Sequence, residues 1–206
     1  MGDTDLTPQQ RAQLAQFAVL VRESPHNLVS RRARDELETR HIPEAVALAH
    51  LLPGGAHRCL DVGSGGGFPG MVLAIVRPDL DVHLLDATRK KAAFLQETAA
   101  VLELPVTVHH GRAEDLAAGE LSGAFDLVTA RAVAALDALL DITLPFLGPQ
   151  GVLYAVKGER WAEELAEAQG RLRRLGATVL ATPEDQQRPA FTCETQPRVL
   201  VIGRAR

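Results

Sequence analysis

A chain of 206 residues, 46% hydrophobic and 23% charged, fits one large core-forming domain with or without a small appendage. Its net charge of −4 gives the whole molecule no pull on polyphosphate, so nucleic-acid recognition has to rest on a local patch. Two cysteines, Cys59 and Cys193, exclude a disulfide scaffold. No run of 18 apolar residues spans a membrane and no signal peptide is visible, so a cytoplasmic protein is expected.

In chain order, Thr7-Pro8-Gln9-Gln10 sets a threonine N-cap, a proline at the first helical position and a glutamine where a capping box wants it. Leu14, Phe17 and Val21 then share one helical face. The local basic patch runs from Arg22 to Arg34, where Arg22, Arg31, Arg32 and Arg34 face only Glu23. A second helix is predicted over about 35–52, ended or kinked near Ile42 by Pro43. Strands at 58–62, 81–86, 105–110, 125–130 and 151–156 then alternate with helices at about 69–76, 88–102, 136–147 and 161–175. Strands at 177–182 and 198–203 close the chain without a helix between them. The resulting fold class is α/β: a mostly parallel seven-stranded sheet with a C-terminal antiparallel hairpin. Residues 1–55 form an N-terminal helical extension and 56–206 the core, together one compact domain. The polar loop 183–197 is long enough to touch substrate.

Residues 63–70 read GSGGGFPG, five glycines in eight positions, between the first strand and its helix. Gly65, Gly67 and Gly70 match a dinucleotide fingerprint, a pattern that is weak alone. Asp61 stands two residues before the first glycine, where a carboxylate suits a cationic ligand end and not a pyrophosphate. Asp86, 23 residues after Gly63, ends the second strand at the right distance for ribose hydroxyls. With the helixless hairpin, these features suit S-adenosylmethionine. After the third strand, Ala113 and Glu114 are candidates for the adenine edge, and Phe68 is a ring wall or a core residue. His109 and His110 do not read as metal ligands, because strand neighbours point to opposite faces; His110 is taken as a polar lining residue.

The segments DVGSGGGFPG (61–70), LLDATRKKAAFLQ (84–96), GRAEDL (111–116), FDLVTARAVAAL (125–136) and YAVKG (154–158), with NLVS (27–30) and RHI (40–42), resemble the bacterial small-subunit ribosomal RNA guanine-N7 methyltransferases, also called glucose-inhibited division protein B. The resemblance covers residues 14–203. It implies a Rossmann-like class I S-adenosylmethionine-dependent methyltransferase acting on one guanine in the decoding-region loop of 16S rRNA, within the small ribosomal subunit. The cofactor would meet Asp61, Gly63, Ser64, Gly65, Gly67, Phe68, Asp86, Ala113, Glu114 and Arg131. Asn27, Arg31, Arg32, Arg40, His41 and Lys157 would face RNA, with Arg131 and Lys157 also positioning the base. RHIPEA stands where members commonly have Asp-Ser, so residues 43–45 receive no role.

Guanine N7 is an unprotonated nucleophile at neutral pH, so neither a general base nor a metal is expected. A monomer is expected. An NAD-dependent dehydrogenase, a small-molecule methyltransferase and a non-catalytic ribosome-associated module that binds S-adenosylmethionine stay open as alternatives.

Overall fold

Thr7 opens the first helix, α1 (Pro8–Glu23), through the capping box: Gln10 N donates to Thr7 Oγ1 at 3.2 Å and Thr7 N to Gln10 Oε1 at 2.9 Å. The Gln10 amide also reaches back into the core, donating from Nε2 to the carbonyl of Ile75 at 3.1 Å. Leu14, Phe17 and Val21 are buried as their spacing predicts. The structure, a computed structural model, describes residues 6–55, 57–186 and 196–205. Cys193 and most of the loop 183–197 lie outside the described residues.

The second helical stretch starts earlier than predicted. Ser30 caps α2 (Arg31–Asp35) by accepting Ala33 N at 3.2 Å. A wide π turn, Leu37–His41, leads directly into α3 (Ile42–Leu51). Pro43 therefore neither ends nor sharply breaks the helix. It falls at the start of α3, just past the widened turn in which His41 N donates to Glu36 O at 3.1 Å, where its missing N–H costs little.

The sheet has seven strands in the order β3-β2-β1-β4-β5-β7-β6. β1 (His57–Val62), β2 (Leu80–Asp86), β3 (Thr107–His110), β4 (Phe125–Arg131) and β5 (Leu147–Lys157) run parallel. β6 (Ala177–Ala181) and β7 (Arg198–Arg204) form the antiparallel hairpin, with β7 inserted between β5 and β6. Helices α1 and α3, with α4 (Gly70–Val76) and α5 (Arg89–Val101), pack on one face around Phe17, Leu48, Leu73 and Leu95. On the other face α6 (Ala113–Ala117), α7 (Leu136–Thr143) and α8 (Trp161–Arg174) enclose Leu60, Val128, Leu140 and Leu172.

Two boundaries differ from the sequence reading. The helix predicted over 136–147 stops at Thr143 and tightens into a 3-10 turn at Leu144–Phe146, because Pro145 has no N–H to continue the ladder. The segment GRAEDL, read as a loop, contains the short helix α6. Strand order reverses between β1 and β4, which makes the carboxyl ends of those two strands the place where ligands bind in such a sheet.

Candidate active site

A cavity of about 970 Å³ opens at that reversal point. Its floor is the glycine turn between β1 and α4, its walls the loop after β4 and the end of β5, and its roof residues 28–33 and 40–44. Arg32, Arg40, Lys91, Arg131, Lys157 and Arg198 line it against three glutamates, giving the local positive field that the whole chain lacks.

The turn is held by its own amides. Gly63 N and Ser64 N donate to Leu85 O at 2.8 and 2.9 Å, Gly65 N to Asp86 Oδ2 at 2.9 Å, and Gly67 N to Ser64 O at 2.7 Å. A pyrophosphate nest needs such N–H groups free, so the turn is ill-suited to a dinucleotide. It still offers a side-chain-free surface to a compact ligand, and Asp86 stands beside it, which suits an amino-acid nucleoside. Two of its glycines serve packing. A Cβ on Gly70 would lie 2.3 Å from Leu84 Cδ2 and 2.8 Å from Asp61 Cβ, and Gly67, at φ +93°, has the Phe17 ring 2.9 Å from where its Cβ would be. Gly70→Ala should accordingly lower stability by about 1–3 kcal/mol, the cost of overpacking. The check is a urea midpoint, and an unchanged midpoint would contradict the close approach of α4 to β1 and β2.

The two carboxylates at the strand ends have different partners. Asp86 is buried and does not itself line the cavity; Oδ2 takes Gly65 N and Oδ1 takes Thr88 N at 2.8 Å, which leaves each oxygen a further lone pair. Asp61, expected to face a cationic ligand end, is 1% exposed and does not line the cavity. Its oxygens accept Thr129 Oγ1–H at 2.8 Å and Gly70 N–H at 3.1 Å, so in this arrangement it locks α4 onto β1 and β4 from beneath the turn. Burial pushes its carboxyl up to about 6, against the pull of those hydrogen bonds.

Phe68 answers to both of its expected roles. It is buried against Phe17, with ring centroids 4.9 Å apart, and also borders the cavity, where the Arg131 guanidinium lies 5.1 Å from its ring centre. Arg131, at the end of β4, has Nη1 3.0 Å from His41 Nδ1 and 3.7 Å from Glu44 Oε2. Burial lowers its pKa, and Glu44 and Asp61 oppose that. Ala132 follows at φ +55°, a left-handed conformation uncommon outside glycine, and turns Val133 onto Gly63.

Lys157 lines the cavity but is already paired. Its side chain is 7% exposed, with Nζ 2.6 Å from Glu164 Oε2 and donating to Ala134 O at 2.9 Å. The expected RNA-facing lysine is thus the buried half of an ion pair that fixes the loop after β4. Both partners pack where helix α8 folds back beside the end of β5, which leaves little of the ammonium for an external phosphate. The basic patch is also less positive than expected: Arg22 pairs with Glu38, and Arg32 with Glu36 at 2.8 Å. Arg40 bonds Glu44 through Nε at 3.0 Å, while Asn27 and Arg31 are exposed.

Ala113 is buried and Glu114 exposed at the start of α6, next to the end of β3 but outside the cavity. His110 is exposed and does not line it either, contrary to its expected lining role. His109, on the opposite face, stacks on His83 with a ring-nitrogen separation of 2.8 Å, and burial lowers its pKa. Glu44, Lys91 and Arg198 line the cavity and were not singled out from sequence. Lys91 carries a signal that was available, since it opens the helix that follows Asp86. Pro197, from the far end of the long loop, also borders the cavity.

The sequence matches the family described as rRNA small subunit methyltransferase G over residues 10–191. It is 48% identical over 163 residues to the ribosomal RNA small subunit methyltransferase G of Sorangium cellulosum, covering 76% of this chain and 68% of that one. To the protein of the same name from Mycolicibacterium smegmatis it is 42% identical over 150 residues, 73% of this chain and 63% of that one. The match thus spans about two thirds of those relatives' length. Among solved structures, a putative S-adenosyl-L-methionine-dependent methyltransferase from Methanococcus maripaludis superposes with a TM-score of 0.63 at 15% identity, over 89% of this chain and 97% of that one. M. jannaschii TYW2 in complex with AdoMet gives 0.57 at 17% identity, over 80% and 74%. These two show the fold alone, a mostly parallel seven-stranded sheet with helices on both faces.

Proposed function

Because the chain belongs to the rRNA small subunit methyltransferase G family, we propose that it transfers a methyl group from S-adenosylmethionine to N7 of a specific guanine in the decoding-region loop of 16S rRNA. One observation carries the reading. The cavity at the β1/β4 reversal joins a glycine turn tied to Asp86 with an arginine-bearing roof from the N-terminal helices.

When bound, S-adenosylmethionine supplies an electrophilic methyl group on a cationic sulfur. The protein's part is placement. Asp86 accepts the ribose hydroxyls, and the Ala113–Glu114 turn beside it meets the adenine edge. The surface of Gly63, Ser64 and Gly65 receives the amino-acid end, with Arg131 close enough to hold its carboxylate. Asn27, Arg31, Arg32, Arg40 and His41 meet the RNA at the rim. A base in a single-stranded loop is cheap to extrude into such a cavity. Guanine N7 has its lone pair ready, so orientation and exclusion of water do the work that a base would do elsewhere. No helix among the described residues is long and apolar enough to cross a membrane, and we place the protein with the ribosome in the cytoplasm, acting as a monomer.

Labelled S-adenosylmethionine supplied with small subunits from cells lacking the gene tests this directly. The label should enter 16S rRNA at one guanine, mapped through depurination and strand cleavage at 7-methylguanine. Label on protein, on a metabolite or nowhere overturns the reading. Asp86→Ala should weaken cofactor binding by about 2 kcal/mol, a typical loss for hydrogen bonds to a charged group. Titration calorimetry showing unchanged affinity would refute the ribose contact.

A further inference from the structure

Along the roof of the cavity runs a ladder of ion pairs: Arg32 to Glu36 at 2.8 Å, Glu36 to Arg40 at 3.3 Å, and Arg40 to Glu44 at 3.0 Å. The last rung faces the cavity, and the Glu44 side chain is only 12% exposed. Its Oε1 accepts Arg40 Nε–H. Among the described residues its Oε2 has no donor nearer than His41 Nδ1 at 3.6 Å and Arg131 Nη1 at 3.7 Å, both beyond hydrogen-bond length. His41, 3.6 Å away, is a poor source of the missing donor. Arginine only donates, so the 3.0 Å contact is a hydrogen bond only in the tautomer in which Nδ1 accepts from Arg131 and the ring proton sits on Nε2, a buried nitrogen with no partner among the described residues. Burial pushes the Glu44 carboxyl up, but His41, Arg40 and Arg131 around it more than offset that and keep it below the usual carboxylate range.

An ionised carboxylate, largely buried and with an oxygen short of donors, calls for donors from a ligand. Guanine carries two adjacent ones, N1–H and the N2 amine, on the edge opposite its imidazole ring. Adenine has a lone pair at N1 and no amine at C2. We propose that Glu44 reads the Watson–Crick edge of the target guanine, accepting N1–H and N2–H while N7 is left facing the glycine turn. This deepens the reaction proposed above and rests on it. Such pairing selects guanine, because adenine would set a lone pair against the buried oxygen. It also places a negative charge near a ring that becomes cationic on methylation, which Arg131 alone would oppose.

Small subunits reconstituted with guanosine or inosine at the target position test the assignment. Inosine keeps N7, O6 and N1–H and lacks only the N2 amine. The wild-type enzyme should favour guanosine about tenfold in kcat/KM. Glu44→Gln, whose amide offers one acceptor and not two, should lose at least tenfold on guanosine and bring the ratio of the two substrates close to one. Its affinity for S-adenosylmethionine should stay within twofold, which reports an intact fold. Glu36→Gln breaks the same ladder about two turns away and should keep the wild-type ratio. A Glu44→Gln enzyme that retains the wild-type preference, or a wild-type enzyme with none, overturns the role of Glu44 alone. Failure of the wild type to methylate guanine N7 at all would instead overturn the reaction beneath it.

Discussion

Lys157→Met should destabilise the protein by about 3–5 kcal/mol, toward the lower figure because Glu164 keeps 21% of its side chain exposed. Lys157 Nζ lies 2.6 Å from Glu164 Oε2, which also accepts Leu136 N–H at 3.0 Å. Removing the lysine leaves that carboxylate largely buried and uncompensated at the start of α7, and releases the carbonyl of Ala134. Urea unfolding reads the loss as a lower midpoint. Adding Glu164→Leu should restore much of it, since an apolar pair avoids the desolvation that an unpaired charge suffers. A single variant that unfolds at the wild-type midpoint yet no longer binds small subunits would return Lys157 to the RNA-facing role that its position at the end of β5 suggests.

Between pH 4 and 7, stability should fall by about 2.4 kcal/mol relative to Asp61→Asn. Burial raises the Asp61 carboxyl from 3.8 to about 6 in the folded protein. In that interval the native state holds a proton that the unfolded chain has already released. The contribution is complete below the unfolded value near 4 and is lost as pH rises through 6. Subtracting the urea-derived stability of Asp61→Asn at each pH removes the titration of every other group. A difference that stays flat from pH 4 to 7 would mean that Asp61 is hydrated and ionised throughout, and that the lock between α4, β1 and β4 is not as described.

These two residues show where sequence reading reached its limit. The first helix was legible to its cap, since Thr7 and Gln10 act within one turn. The glycine turn and the place of Asp86 at the end of β2 were legible because strand, turn and helix succeed one another locally. Asp61 looked ligand-facing because it stands beside that turn; what draws it inward is Thr129, on a strand 68 residues later. Lys157 marked the family motif, but its partner lies on α8, and nothing in the spacing of the two implies a buried pair. Pro43 suggested a break that the π turn absorbs, and Pro145 ended a helix that periodicity alone would have carried on. Glu44 was invisible for a further reason. Its pairing with Arg40 comes from helical spacing, whereas the face it presents depends on how α3 packs against α4.

Most depends on the glycine turn receiving the amino-acid half of S-adenosylmethionine while Asp86 holds its sugar. Crystals soaked with S-adenosylhomocysteine measure that directly. Electron density should place the homocysteine over Gly63, Ser64 and Gly65, with both ribose hydroxyls on the Asp86 carboxylate. Density elsewhere on the molecule, or a turn that accepts a dinucleotide pyrophosphate in preference, would contradict it.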